Sequence, residues 1–163
     1  MRLASYISLL WAGLLVGSSF LATPAKFLAP SLTMAQALEV GRVTFAVLSW
    51  VEYAFLFVLS LALLRIVFRP FLMLVFTSII ALLLIQQVFL LPALSARTDL
   101  VIHGLQPGPS NLHLFYIAAE FLKVCALVYL ASLVQKTMAD KELPGKVSDK
   151  ISNATNFTNR YKL

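Results

Sequence analysis

Residues 113–134 read HLFYIAAEFLKVCALVYLASLV, a run long enough to cross a bilayer that nevertheless carries Glu120 and Lys123 in its interior. A charge near the centre of a hydrocarbon layer costs roughly 2.5–3.5 kcal/mol on insertion scales, so such residues face other helices or a wet cavity and have a role. His113, Glu120 and Lys123 follow one another at spacings of seven and three residues, which places all three on one helix face. That face is expected to point inward. Leu114, Phe115, Ile117, Phe121, Leu122, Val124 and Leu127 suit lipid or apolar neighbouring helices.

The rest of the chain is of the same kind. Its 60% apolar and 12% charged content lie above and below the shares of a soluble domain, and 163 residues make one domain on length. The net charge of +6 does not indicate nucleic acid. Six basic residues (Lys136, Lys141, Lys146, Lys150, Arg160 and Lys162) follow the last apolar run, where they act as a topology signal and contact anionic headgroups. No nucleic-acid motif accompanies them. A single cysteine, Cys125, excludes an intrachain disulfide and reads as inert packing in an apolar run.

Working back to the start, four spans emerge, at about 3–23, 43–68, 71–94 and 113–134, with a basic, polar tail at 136–163. The fold class is therefore all-α, an integral membrane four-helix bundle in residues 1–135. Arg2, an apolar run and Ala22-Thr23-Pro24-Ala25 have the form of a cleaved signal peptide. The length of the run, Gly13-x-x-x-Gly17 as a helix-packing surface, and a proline beside the cut favour a retained span. Ser31 or Thr33 caps a short connecting or interfacial helix to Arg42, with Glu39 and Arg42 paired at a three-residue spacing. Arg65 lies at the end of the second span, Arg69-Pro70 turns the chain, and spans two and three are expected to be antiparallel neighbours. Gln86 and Gln87 are the strongly polar interior residues of the third span, and Pro92 lies near its end. Residues 95–112, with Arg97, Asp99, His103 and Pro107-Gly108-Pro109, are expected to be irregular, and Ser110 or Asn111 to cap the fourth span. The tail is expected to begin helical and become flexible around Pro144-Gly145.

Four spans put both termini on one side. That side carries Arg2, Arg65, Arg69 and the six tail residues, nine in all, against Lys26, Arg42 and Arg97 on the other. By the positive-inside rule the termini are cytoplasmic, in a cell membrane, with a bacterial inner membrane favoured. The sequons at Asn153 and Asn156 then read as chance. At 1.5 Å per residue, Glu120 lies about 10 Å, Lys123 about 15 Å, Glu52 about 13 Å and Gln86 about 12 Å from the outer edge. Polar residues on three helices share a layer when they satisfy one another. A buried cluster of Glu52, Gln86 or Gln87, Glu120 and Lys123 is expected, with His113 at its rim.

Two carboxylates, an ammonium and an amide can lock the register of helices that hydrophobicity alone does not hold in lipid, the role of a membrane scaffold or accessory subunit. The excess acid also suits a proton- or cation-linked small-solute transporter. A membrane-embedded metal-dependent enzyme is a weaker alternative. His113 and Glu120 lie about 10.5 Å apart along the helix axis, too far to share an ion directly, and neither a cysteine pair, a His-x-x-x-His nor a nucleophile–base motif is present. No cofactor follows from the sequence, including haem. The partners implied are the lipid bilayer and a protein partner or second copy.

Trp11-x-Gly13, Phe20, Pro24, Phe27, Pro30, Ala37, Gly41-Arg42 and Phe45 give residues 8–52 a resemblance to the small four-helix bacterial membrane families of unknown function. A human transmembrane protein linked to cisplatin resistance is distantly similar to these. The resemblance implies four helices in a plasma membrane and carries over no catalytic residue.

Overall fold

The computed structural model describes the backbone of residues 2–64 and 69–160 and the side chains of these as far as residue 139. The described residues hold helices and no strand. Four helical stretches are long and apolar enough to cross a membrane: α1 (Arg2–Leu28), α2 (Met34–Leu63), α3 (Pro70–Ile102) and α4, of which Leu112–Ala139 is the apolar part. The α4 helix as a whole is Leu112–Arg160. Short connections make successive helices antiparallel.

Three boundaries differ from the sequence expectation. The segment before Arg42 is no separate helix. Thr33 caps α2, its side chain accepting from the Gln36 N–H while the Gln36 side chain accepts from the Thr33 N–H, and the helix then runs unbroken to Leu63. Nothing between Arg42 and Val43 stops it, since neither a proline nor a C-terminal cap occurs there. Residues 95–102 are helical, so the irregular connection shrinks to 103–111, with Gly104 at φ 78° closing α3. Finally, α4 continues through Pro144 and Gly145. An internal proline removes one backbone hydrogen bond, at about 3 kcal/mol, without forbidding the helix. Asn111 precedes α4, its carbonyl accepting from the Phe115 N–H, and the Ser110 hydroxyl accepts from Leu112. Arg65 lies outside the described residues, as do the side chains of the tail sequons.

Two wide, π-helical turns interrupt the ladders, at Val16–Ala22 and Gln86–Leu90. Each ends just before a proline, Pro24 or Pro92. A proline ring collides with the carbonyl four residues earlier and offers no N–H, and a widened turn relieves both problems. At the first, the Thr23 hydroxyl donates to the Ser18 carbonyl at 2.8 Å.

The core is a set of stripes with helical spacing. In α1 these are Ala4, Ile7, Trp11 and Leu15; in α2 Leu48, Leu59 and Leu63; in α3 Leu72 and Ile79; in α4 Leu127, Leu130 and Val134. Helix α4 packs on α1 and α3, and α1 on α2. Spans two and three are neighbours over only part of their length: α2 meets the Leu91–Ile102 part of α3, whereas Pro70–Ile85 packs on α4. The change of partner falls at the π turn and Pro92, where helices kink. Packing of α4 on α1 extends past residue 135, with Thr137 buried, Met138 against the core and the Gln135 amide donating to the Ser5 hydroxyl at 2.9 Å.

The exterior is apolar. Leu10, Trp50, Phe57, Leu74, Phe89 and Leu114 are all exposed. Cys125 also faces outward rather than filling the core. It is two positions from Lys123 and so lies on the opposite side of α4. Gly13 and Gly17 pack no neighbouring helix, since a Cβ on either would meet nothing within 4 Å. The α1 face used in the bundle is the Trp11 stripe, and Gly13 lies two residues off it. Several hydroxyls on these helices return to their own backbone, as Ser8 does to Ala4 and Ser49 to Phe45.

Candidate functional site

One layer of the core is ionic. The stripe on α2 that carries Leu48 and Leu59 also carries Glu52; that on α3 with Leu72, Ile79 and Leu83 continues to Gln86; that on α4 with Leu127 and Leu130 begins with Tyr116, Glu120 and Lys123. The four polar side chains Glu52, Gln86, Glu120 and Lys123 are each 0–1% exposed. They converge from three helices.

Lys123 is the centre of the layer. Its ammonium makes an ion pair with Glu52, donates to Gln86 Oε1 at 2.7 Å and donates to Glu120 Oε1 at 3.2 Å. An ammonium has three protons, and each has an acceptor here. Gln86 Nε2 donates to the same Glu120 oxygen at 2.9 Å, so both ends of the amide are engaged and its orientation is set. The other Glu120 oxygen, Oε2, is buried and makes no hydrogen bond of normal geometry, with the Tyr116 hydroxyl as the nearby donor. Two carboxylates face one ammonium.

Gln86 enters the cluster and Gln87 does not. Neighbouring residues on a helix point about 100° apart, and only Gln86 continues the Leu72–Ile79–Leu83 stripe. Gln87 is half-buried beside it. His113 is not part of the buried cluster either. It shares the face of Glu120 but is exposed, in the first turn of α4, where the helix has only just entered the bundle. Tyr116 takes the buried position between them and packs edge-on against Phe45, ring centroids 5.2 Å apart, with its hydroxyl next to Glu120. Its spacing of three from His113 and four from Glu120 already marks it in the sequence.

Trp11 is the other residue that spacing of charges alone does not reveal. It is 0% exposed, stacks on Phe55 at 5.9 Å and lies beside Glu52, with its indole nitrogen in no hydrogen bond of normal geometry. It closes the α1 side of the ionic layer. The signal for it is the apolar stripe Ala4–Ile7–Trp11–Leu15.

Two further polar groupings lie at the end of the bundle that holds the 29–33 and 103–111 connections. Arg42 binds Glu39 at 2.7 Å, the spacing-three pair, and also Asp99 of α3. The absence of a side chain at Gly41 makes room for the Lys26 ammonium, which lies 5.1 Å from the Phe27 ring centre and 5.8 Å from that of Phe45. The His103 ring contacts the Asp99 carbonyl at 2.7 Å, within its own helix end. No group of three or more His, Cys, Asp or Glu among the described residues is placed to hold a metal ion.

A cavity of about 260 Å³ lies between α1, α2 and α4 at the same end, with Ser19, Phe20, Phe27, Phe45, Ile117 and Glu120 among its lining residues. The chain matches no protein-family model, curated protein or solved structure. What defines its class is therefore the molecule itself, an all-helical protein with four helices long and apolar enough to span a membrane and a buried ionic layer at their core.

Proposed function

We propose that the protein is a multi-pass protein of the cell membrane, both termini cytoplasmic, acting as a scaffold or accessory subunit whose ionic layer fixes the register of its helices. Support for the membrane comes from an apolar exterior, with large hydrophobic side chains exposed along all four long helices, around a core that holds one ionic layer. Support for the orientation comes from nine basic residues on the terminal side against three on the other. The observation that carries the locking role is the complete use of the Lys123 ammonium by acceptors on α2, α3 and α4. In lipid, apolar side chains give helices little reason to choose one register over another, whereas such a contact is satisfied in only one.

A second reading, proton- or cation-linked transport, is favoured by the excess of carboxylate over ammonium in the layer. The two separate in one experiment. The affinity-tagged full chain is purified in mild detergent beside a Lys123→Met/Glu52→Gln variant, which removes the pair together. The scaffold reading expects a stoichiometric protein partner that the double variant still retains. Purification of the chain alone, with proton or cation flux in liposomes that the double variant lacks, overturns it.

A further inference from the structure

We infer that the bundle end holding the 29–33 and 103–111 connections contains a binding site for a phosphate group carried on a lipid. The Lys26 ammonium marks the place. It lies against Gly41, where a Cβ would collide with it, and 5.1 and 5.8 Å from the Phe27 and Phe45 ring centres. Gly41, Phe27 and Phe45 are all walls of one cavity of about 90 Å³, so the ammonium is held at that cavity. The ring faces offset part of its charge, but among the described residues no oxygen accepts any of its three protons.

The other walls suit an anion. Arg42 and His113 line the same cavity, as do Ser95 and Thr98, whose hydroxyls, unlike those of Ser8 and Ser49, make no hydrogen bond to their own helix. An adjoining cavity of about 470 Å³ shares Phe27, Leu38, Leu94, Thr98 and His113 with it and adds Arg97 and Ser110. No carboxylate lines either one. Glu39 and Asp99 are both taken by Arg42, so Lys26, Arg42 and Arg97 leave one positive charge over at this end among the described residues. A phosphodiester, with its single negative charge, balances it. Its tetrahedral oxygens can meet donors from α1, α2, α3 and α4 together, which a planar carboxylate cannot. The smaller cavity has the share of roughly three water molecules, enough for that group. On its other side it shares Thr23, Phe27, Phe45 and His113 with the cavity of about 260 Å³, whose Phe20 and Ile117 walls reach the apolar exterior. That is the path for an acyl chain, and basic pockets between membrane helices hold phospholipid headgroups in the same manner. The site rests on the membrane reading and not on the scaffold role.

Titration of the purified, delipidated full chain in a non-ionic detergent with dioleoylphosphatidylglycerol, lipid adducts being counted by native mass spectrometry, tests the site. One saturable lipid is expected, bound at least about tenfold more weakly when dioleoylglycerol, which lacks the phosphate, replaces it or when Lys26→Met removes the ammonium. Gly41→Leu, which displaces that nitrogen and fills the cavity, should weaken binding as much. Lys136→Met, at the opposite end of the bundle, should leave it unchanged, which separates a site from general attraction between a basic chain and an acidic lipid. Millimolar inorganic phosphate should leave the lipid bound; displacement would assign the site to a free phosphate and overturn the lipid assignment. Equal binding of the two lipids, or a Lys26→Met variant that binds as the parent does, overturns the site, and a chain that still needs detergent to stay in solution then leaves the membrane reading standing.

Discussion

Replacing Trp11 by alanine removes a side chain that is 0% exposed, stacked on Phe55 at 5.9 Å and beside Glu52. Large-to-small changes of buried aromatic residues cost about 3–5 kcal/mol, a sum of lost transfer energy and of the cavity left behind. Between lipid-covered helices the transfer part shrinks and the packing part remains, so the cost should lie near the lower end, about 3 kcal/mol. At about 2–4 °C per kcal/mol for a chain of this size, melting in detergent should fall by roughly 6–12 °C. Tyr6, on the same helix but 63% exposed, supplies the comparison. Tyr6→Ala should change stability by under about 0.5 kcal/mol. The assay is the unfolding of both variants and the parent, followed by circular dichroism or light scattering on heating. If Trp11→Ala and Tyr6→Ala melt within about 1 °C of each other, α1 does not present its Trp11 face to the bundle.

Three other outcomes follow from particular contacts. Arg42→Ala releases Glu39 and Asp99, but these groups are 38–48% exposed and screened by solvent, so only a small fall in melting temperature is expected at low ionic strength, vanishing near 1 M salt; melting curves at both salts check it. Gly13→Leu meets open space, and its thermal stability should match the parent within about 0.5 kcal/mol; a large loss would place that face against another helix of the chain. A reporter fused after Leu163 should read as cytoplasmic and one inserted in the 103–111 connection as external, and the opposite pattern would invert the proposed orientation.

The polar layer was legible because charge in an apolar run is rare and helix rise converts residue number into depth. Glu52, Gln86, Glu120 and Lys123 could thus be assigned to one level before any contact was known. The choice between Gln86 and Gln87 was not legible by depth, since adjacent residues differ by only 1.5 Å along the axis and are separated by rotation instead. His113, expected at the rim of that face, lies exposed there and outside the buried cluster, because a shared face does not mean shared burial when a helix has barely begun. Helix ends were the weakest reading. The expected break at Arg42 ignored that Thr33 with Gln36 caps one long helix, and the π turns before Pro24 and Pro92 follow from a proline rule that the sequence contains but whose outcome, bulge or break, depends on packing. The tie from Arg42 to Asp99 joins residues 57 apart and has no local signature.

Whether Lys123 and Glu52 act as one buried pair is measured directly by a double-mutant cycle. Lys123→Met leaves Glu52 and Glu120 buried without their cation and should cost about 3–5 kcal/mol. Glu52→Gln should cost less, because Lys123 keeps Glu120 and Gln86. Lys123→Met/Glu52→Gln should be more stable than Lys123→Met alone by at least about 1.5 kcal/mol, the rescue that comes from removing an unpaired buried acid. A double variant less stable than Lys123→Met, by the amount that Glu52→Gln costs on its own, would show the two residues to be independent and contradict the account.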